Sequence, residues 1–159
     1  MKKKNEKTNV MRILEQNKIN YLSHCYYNTS AISGMDVAGV LNQDPERVFK
    51  TLVTIGSSNN HYVFLVPVSK NLNLKKAAKA VNEKSIEMIK SKDLLPLTGY
   101  IHGGCSPIGM KKQFKTVIDS SAKNFDTIIF SGGKIGYQVE ITIDELKKVI
   151  PFDIDNISD

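Results

Sequence analysis

Long apolar runs are missing from this 159-residue chain. None approaches the ~18 residues that a membrane-spanning helix requires. The basic N-terminus, MKKKNEKTN, leads into no apolar stretch of the kind a secretory signal carries, so the expected location is the cytoplasm. Cysteine is scarce: Cys25 and Cys105 stand 80 positions apart, in no CxxC and no Cys/His cluster. That pattern indicates neither a zinc site nor a disulfide framework. There is no HExxH, no GxGxxG and no Walker-type phosphate loop, so no metal and no cofactor is expected. No GxSxG elbow surrounds any serine. Arginine is almost absent as well. Of 22 basic residues only Arg12 and Arg47 are arginine, and against 16 acidic residues the net charge is +6. A lysine excess of this kind favours anionic partners without specifying nucleic acid.

What is present suits one globular domain of 41% apolar and 24% charged residues. Residues 1–8 read as a basic flexible tail and 9–159 as the domain. Val10, Ile13 and Leu14 have helical spacing, with a stop near Asn17. Ile19 to Tyr27 alternates as a strand, and Met35 to Leu41 reads as a short helix. Asp44-Pro45-Glu46 opens a single turn. Val48–Ile55 and His61–Val68 are β-branched and aromatic-rich, and the polar linker Gly56–Asn60 makes them a hairpin. Leu74–Val81 is a helix whose apolar side is Leu74, Ala77, Ala78 and Val81. A short strand at Ser85–Ile89 and a helix from Asp93 follow. Strands are expected at Phe114–Ile118, Thr127–Phe130 and Tyr137–Ile141. Thr142 to Glu145 is a capping box that starts a last helix carrying Leu146, Val149 and Ile150 inward. The fold class is therefore α+β: a mixed, mainly antiparallel sheet of six or seven strands with surrounding helices.

The densest chemical signal is Thr98 to Lys112. It places Gly99, Gly103, Gly104 and Gly109 around Ser106 and Pro107, then delivers Lys111 and Lys112. Glycine amides can approach a ligand closely, and successive exposed amides form an anion-binding concavity. Lys50 is the second signal. On strict alternation it shares a strand face with Val48 and Leu52, where a charge carries a desolvation cost unless it meets an anion. A snorkelling edge lysine would give the same pattern. His102 and Cys105 lie three apart, but nothing supplies the orienting group that a Cys–His site needs. Cys105 reads as packing and His102 as a solvated loop residue. Ser106 turns the loop with Pro107 or donates to a ligand. Glu140 and Asp119 are not shown by the sequence to converge, and His24 and His61 are isolated.

Taken together, VFKTLV at 48–53, NLKKAAKA at 73–80, TGYIHGGCSPIGMKK at 98–112, KTVIDSSA at 115–122 and SGGKIGYQVEI at 131–141 resemble the YbaK family of aminoacyl-tRNA deacylases. The family is also called EbsC or Cys-tRNA(Pro) deacylase, and it resembles the editing domain inserted in bacterial prolyl-tRNA synthetases. The resemblance implies an α+β editing-domain fold and a trans-editing hydrolase acting on aminoacyl-tRNA, above all Cys-tRNA(Pro), in company with prolyl-tRNA synthetase. A small apolar synthetase pocket discriminates by only about 1–3 kcal/mol per group, so cysteine passes as proline. By resemblance Lys50, Gly103 and Gly104 are the catalytic set. Tyr26, Thr51, Ser106, Pro107, Lys111, Lys112, Gly132 and Gly133 then bind substrate. The reaction implied needs no enzyme nucleophile, because the substrate's own thiol attacks its ester. The chain departs from the family in a shortened 27–33 segment, in Ser33 at an aromatic position, in Gln138 at a position acidic in some relatives, and in Cys105 for an aliphatic. These departures bear on pocket size and amino-acid choice. A sister deacylase for Ala-tRNA(Pro), in which water attacks, and a non-catalytic tRNA- or synthetase-binding module of the same fold are the competing expectations.

Overall fold

In the computed structural model, which describes residues 7–159, the first helix α1 (Asn9–Gln16) begins because Thr8 caps it. The Thr8 side-chain oxygen accepts from the Met11 N–H at 3.2 Å. Of the tail expected over 1–8, the first six residues lie outside those described, and Thr8 itself is buried. Strand β1 (Leu22–Cys25) and helix α2 (Gly34–Val40) follow, then β2 (Phe49–Gly56), β3 (His61–Pro67) and α3 (Leu74–Ala80). Next come β4 (Ile86–Met88), α4 (Ser91–Thr98), β5 (Lys115–Asp119), β6 (Ile128–Ser131), β7 (Tyr137–Ile141), α5 (Ile143–Lys147) and β8 (Asp153–Asp155). No helix among the described residues is long and apolar enough to cross a membrane.

Three helices stop in the same way. Lys18, Asn42 and Asn82 adopt left-handed φ values of 57°, 54° and 60° just past α1, α2 and α3. The next residue then returns its N–H to a carbonyl five positions back: Ile19 to Leu14, Gln43 to Ala38 and Glu83 to Ala78. This is the Schellman closure, which satisfies carbonyls the helix leaves open. Half of the expected capping box forms at α5. Thr142 accepts from the Glu145 N–H at 3.0 Å, while the Glu145 carboxylate turns instead to the Asn20 N–H and Lys148.

The strands divide between two sheets where the sequence suggests one. β2 and β3 pair antiparallel at the centre of a five-stranded sheet ordered β4-β2-β3-β5-β8, whose β3–β5 and β5–β8 pairs are parallel. β1, β7 and β6 form an antiparallel sheet of their own. A single parallel bridge, Val48 to Ile129, joins the two. The eighth strand, β8, carries one apolar residue between two aspartates, too little alternation to be read locally.

β3 is buried on both faces, which is why it reads as a continuous apolar run. Val63 and Leu65 face a core shared with β6, β7 and α1, while Tyr62, Phe64 and Val66 meet Ala77, Ala78 and Val81 of α3. Truncating Phe64 to alanine would cost about 3–5 kcal/mol. This double-sided packing fixes β2, and with it the two side chains that the site needs.

Candidate active site

Lys50 is the second residue of β2 and pairs across the ladder with Val66. Leu52, two positions on, packs into the α3-side core, whereas Lys50 stops half-buried at the mouth of a cleft of about 380 Å³. Val48, Phe49, Val68 and Phe130 supply apolar wall. No carboxylate pairs with the Lys50 ammonium among the described residues, and burial lowers its pKa from the ordinary lysine value. Thr51 also lines the cleft. Its hydroxyl oxygen is buried and has no hydrogen-bond partner among the described residues. Tyr26, 4% exposed, forms another part of the wall, held by a 2.8 Å bond from its N–H to the Gly136 carbonyl.

The glycine loop leaves α4 through Gly99, whose φ of 88° only glycine adopts without strain. Gly103 then reaches the cleft at φ 89°, with Ile32 of the 27–33 segment directly against it: a Cβ there would meet Ile32 at 3.2 Å. No protein group accepts its N–H or that of Cys105 among the described residues. Gly104 is used differently. Its N–H donates to the Ile101 carbonyl at 3.0 Å, and a Cβ on it would come within 3.1 Å of the Ile135 backbone nitrogen. Gly104 therefore lets the 131–136 turn pack against the loop.

Among the described residues the cleft holds no assembled nucleophile and base. Burial pushes the Cys105 thiol up to about 12, so it stays protonated at neutral pH. Ser33 and Ser131 line the cleft, but their hydroxyl oxygens accept backbone N–H groups of Asp36 and Gly133, at 3.2 and 3.1 Å. His102 stands exposed at the rim. Among the described residues no group of three or more His, Cys, Asp or Glu side chains is placed to hold a metal ion.

Lys50, Thr51, Tyr26 and Gly103 thus meet in one place, and seven other residues singled out in the sequence do not line it. Ser106 is fully buried and accepts from the Ile108 N–H at 3.2 Å, turning the loop beside buried Pro107. Lys111 reaches the Pro96 carbonyl at 3.4 Å, and the Lys112 ammonium lies 6.0 Å from the centre of the Phe114 ring. The Gly132 N–H closes the β6–β7 turn onto Tyr137, and Gly133 lies against Val10 and Tyr100. Gly104 completes the seven. The two carboxylates also stay apart. Burial raises Glu140, yet bonds from Thr127 at 2.5 Å and His24 at 2.7 Å hold it below the usual range. Asp119 is bonded by Ser121 and by the Ile157 N–H. Cleft residues that carried no sequence signal include Met35 and Leu94, since a lone apolar residue on a short helix is indistinguishable from core.

One apolar cleft thus holds the β2 lysine and the Gly103 and Cys105 amides, and comparison with known proteins places the chain that builds it. The sequence profile of the aminoacyl-tRNA editing domain matches residues 31–149. The chain belongs to the aminoacyl-tRNA editing domain family. It is 45% identical over 141 residues to EbsC of Enterococcus faecalis, a candidate Cys-tRNA(Pro)/Cys-tRNA(Cys) deacylase, covering 88% of this chain and 86% of that one. It is 26% identical over 134 residues to a proline–tRNA ligase of Fervidobacterium nodosum, spanning 84% of this chain but 22% of the ligase. A crystal structure of a candidate trans-editing enzyme for prolyl-tRNA synthetase superposes with a TM-score of 0.81 at 19% identity, covering 97% and 99% of the two chains. At that identity the likeness establishes the α+β fold alone. Within this editing domain, the matched segment contains Lys50, Thr51 and Gly103, and it begins after Tyr26.

Proposed function

We propose that this editing domain hydrolyses misacylated aminoacyl-tRNA, with Cys-tRNA(Pro) as its principal substrate. The family and the candidate activity of the 45% identical relative support the reaction class and the substrate. The similarity to a proline–tRNA ligase segment supports prolyl-tRNA synthetase as the source of the error. One observation carries the assignment to this cleft: the Lys50 ammonium is half-buried among apolar side chains with no carboxylate among the described residues to balance it. A positive charge kept in that state suits an anionic ligand, such as the 3′ end of tRNA.

In this reading Lys50 balances the negative charge of the bound 3′ end and of the oxygen that develops charge as the ester breaks. The Gly103 and Cys105 amides, which have no acceptor among the described residues, donate to that oxygen. The Thr51 hydroxyl finds in the substrate the partner it lacks among the described residues. Tyr26 closes the wall against the amino acid. The substrate supplies the nucleophile. Its thiol sulfur forms a bond to the ester carbon, the bond from that carbon to the ribose oxygen breaks, and the thiol proton passes to the departing oxygen. Water then opens the thiolactone to free cysteine. Holding thiol and carbonyl at contact distance supplies the proximity that an enzyme nucleophile otherwise would.

The test is deacylation of Cys-tRNA(Pro), Ala-tRNA(Pro) and S-methylcysteinyl-tRNA(Pro) by the wild-type protein. Fast release of cysteine with the other two esters intact is the expected result. Equal release of alanine would replace thiol attack by attack of water. Binding of tRNA without any hydrolysis would contradict the deacylase reading.

A further inference from the structure

Gln138 stands on β7, directly opposite His24 on β1 and Ser131 on β6. It is 4% exposed and forms part of the cleft wall. A buried carboxamide carries two N–H donors and two carbonyl lone pairs, and each left unmatched costs free energy. Gln43 matches one of each. Its Nε2 donates to the Gln138 Oε1 at 2.8 Å, and the Gln138 Nε2 donates back to the Gln43 Oε1 at 3.2 Å. The two amides form a closed ring of two hydrogen bonds across 95 positions of sequence.

Gln43 is itself fixed from below. Asn42 takes φ 54° at the end of α2, the Asn42 N–H bonds the Gly39 carbonyl at 3.2 Å, and the Gln43 N–H bonds the Ala38 carbonyl at 2.8 Å. Helix termination thus sets where the Gln43 side chain begins. The far end of the helix is anchored at the cleft too, since Gly34 lies so close to Val68 that a Cβ would overlap it. Gln138 keeps one N–H and one carbonyl lone pair with no partner among the described residues.

We infer that Gln43 is a positioning residue: by closing the amide ring it fixes the place and plane of the Gln138 amide, and so where its remaining polar atoms meet the aminoacyl group in the cleft. The inference rests on the deacylase reading and adds a polar contact to it. The α-amino group, a donor that every aminoacyl ester brings, meets the free carbonyl lone pair of Gln138. Without Gln43, the Gln138 amide leaves that plane, and its polar atoms no longer hold one position in the cleft. Binding then weakens, while the reacting atoms keep Lys50 and Gly103.

The test measures KM and kcat on Cys-tRNA(Pro) for wild type, Gln43→Leu, Gln138→Leu and the double variant, with thermal unfolding of each. Each single change is expected to raise KM about tenfold, the loss of roughly one hydrogen bond, with kcat within about threefold. The double variant should be no worse than Gln138→Leu, because Gln43 acts through it. Wild-type KM in folded Gln43→Leu, or KM increases that multiply in the double variant, would overturn the inference. If Gln43→Leu fails to fold, Gln43→Glu decides. Its carboxylate cannot donate to Gln138, so KM should rise at neutral pH and return towards wild type as acid protonates it and restores the ring. A KM ratio to wild type that does not change with pH would overturn the inference. A wild-type protein that hydrolyses no misacylated tRNA overturns both readings, whereas hydrolysis that ignores Gln43 overturns only this one.

Discussion

The two halves of the glycine loop have different surroundings, although they look alike in sequence. His102, Gly103 and Cys105 border the cleft, and the Gly103 and Cys105 amides have no acceptor among the described residues. From Ser106 onward the loop is framework. Ser106 holds the Ile108 N–H, the Tyr100 hydroxyl donates to the Ile108 carbonyl at 2.5 Å, and Lys111 leans on Pro96. The same division separates the charges. Asp119, 2% exposed, is surrounded by donors from Ser121 and Ile157, while Lys50 has no counterpart among the described residues. A charge whose partners lie within the fold serves the fold. A charge left uncompensated in a cleft is available to a ligand.

The largest expected effect sharpens the contrast between the cations. Lys50→Ala should slow single-turnover release of cysteine by roughly a hundredfold or more. Changing Lys111 and Lys112 together to alanine should stay within about threefold, as befits exposed charges. Equal losses in the two proteins would erase the distinction between the regions.

Next come the two halves of the loop. Gly103→Ala forces a side chain into a left-handed backbone at about 1–2 kcal/mol and presses on Ile32, so its activity should fall even at temperatures where it is fully folded. Ser106→Ala strips the Ile108 N–H of its acceptor and should lower stability by about 1–3 kcal/mol, with turnover per folded molecule little changed. Thermal unfolding beside initial rates separates the two outcomes, and a reversal of the pattern would break the comparison.

Both charges make the fold more stable as pH rises, Asp119 by gaining a stabilising charge in the acid range and Lys50 by losing a destabilising one in the alkaline range. Burial raises the Asp119 carboxyl, but bonds from the Ser121 side chain and the backbone N–H groups of Ile157 and Ser121 leave it below its ordinary value. Its charge stabilises the fold above the unfolded value, and that contribution is lost as pH falls through the lowered one. Asp119→Asn should therefore be roughly 2–3 kcal/mol less stable at pH 7, with the gap to wild type closing in acid. Lys50 is lowered by burial, so its charged form works against folding below the lowered pKa. That cost disappears as pH rises towards ~10.4, the ordinary lysine value. Lys50→Met should gain a little stability at neutral pH, and the gain should fade in alkali. Urea titrations across pH measure both, and a Lys50→Met protein less stable than wild type at pH 7 would contradict the uncompensated charge.

Much of the frame was legible in the sequence because it is written locally. The hairpin follows from two β-branched runs around Gly56–Asn60, and α1 and α3 from their apolar spacing. Lys50 was legible as a charge on an apolar strand face. The division into two sheets was not, since it depends on which edges meet, and β8 exists through parallel pairing with β5. Lys111 and Lys112 drew attention by charge, but composition does not say which way a loop turns. Gly103 and Gly104 are adjacent and identical in type, and only the Ile101 carbonyl and the Ile135 backbone tell them apart. Gln43 left no trace, because it belongs to no pattern and meets Gln138 only after the chain has folded.

The most direct measurement is amide and lysine-ammonium NMR of the protein titrated with a non-hydrolysable amide analogue of 3′-cysteinyl adenosine. A ligand seated in the cleft should shift the amides of Gly103 and Cys105 and the Lys50 ammonium, and leave Gly104, Lys111 and Lys112 nearly in place. Shifts concentrated at Lys111, Lys112 and the 131–134 turn, with Lys50 and Gly103 unmoved, would contradict the placement of the site.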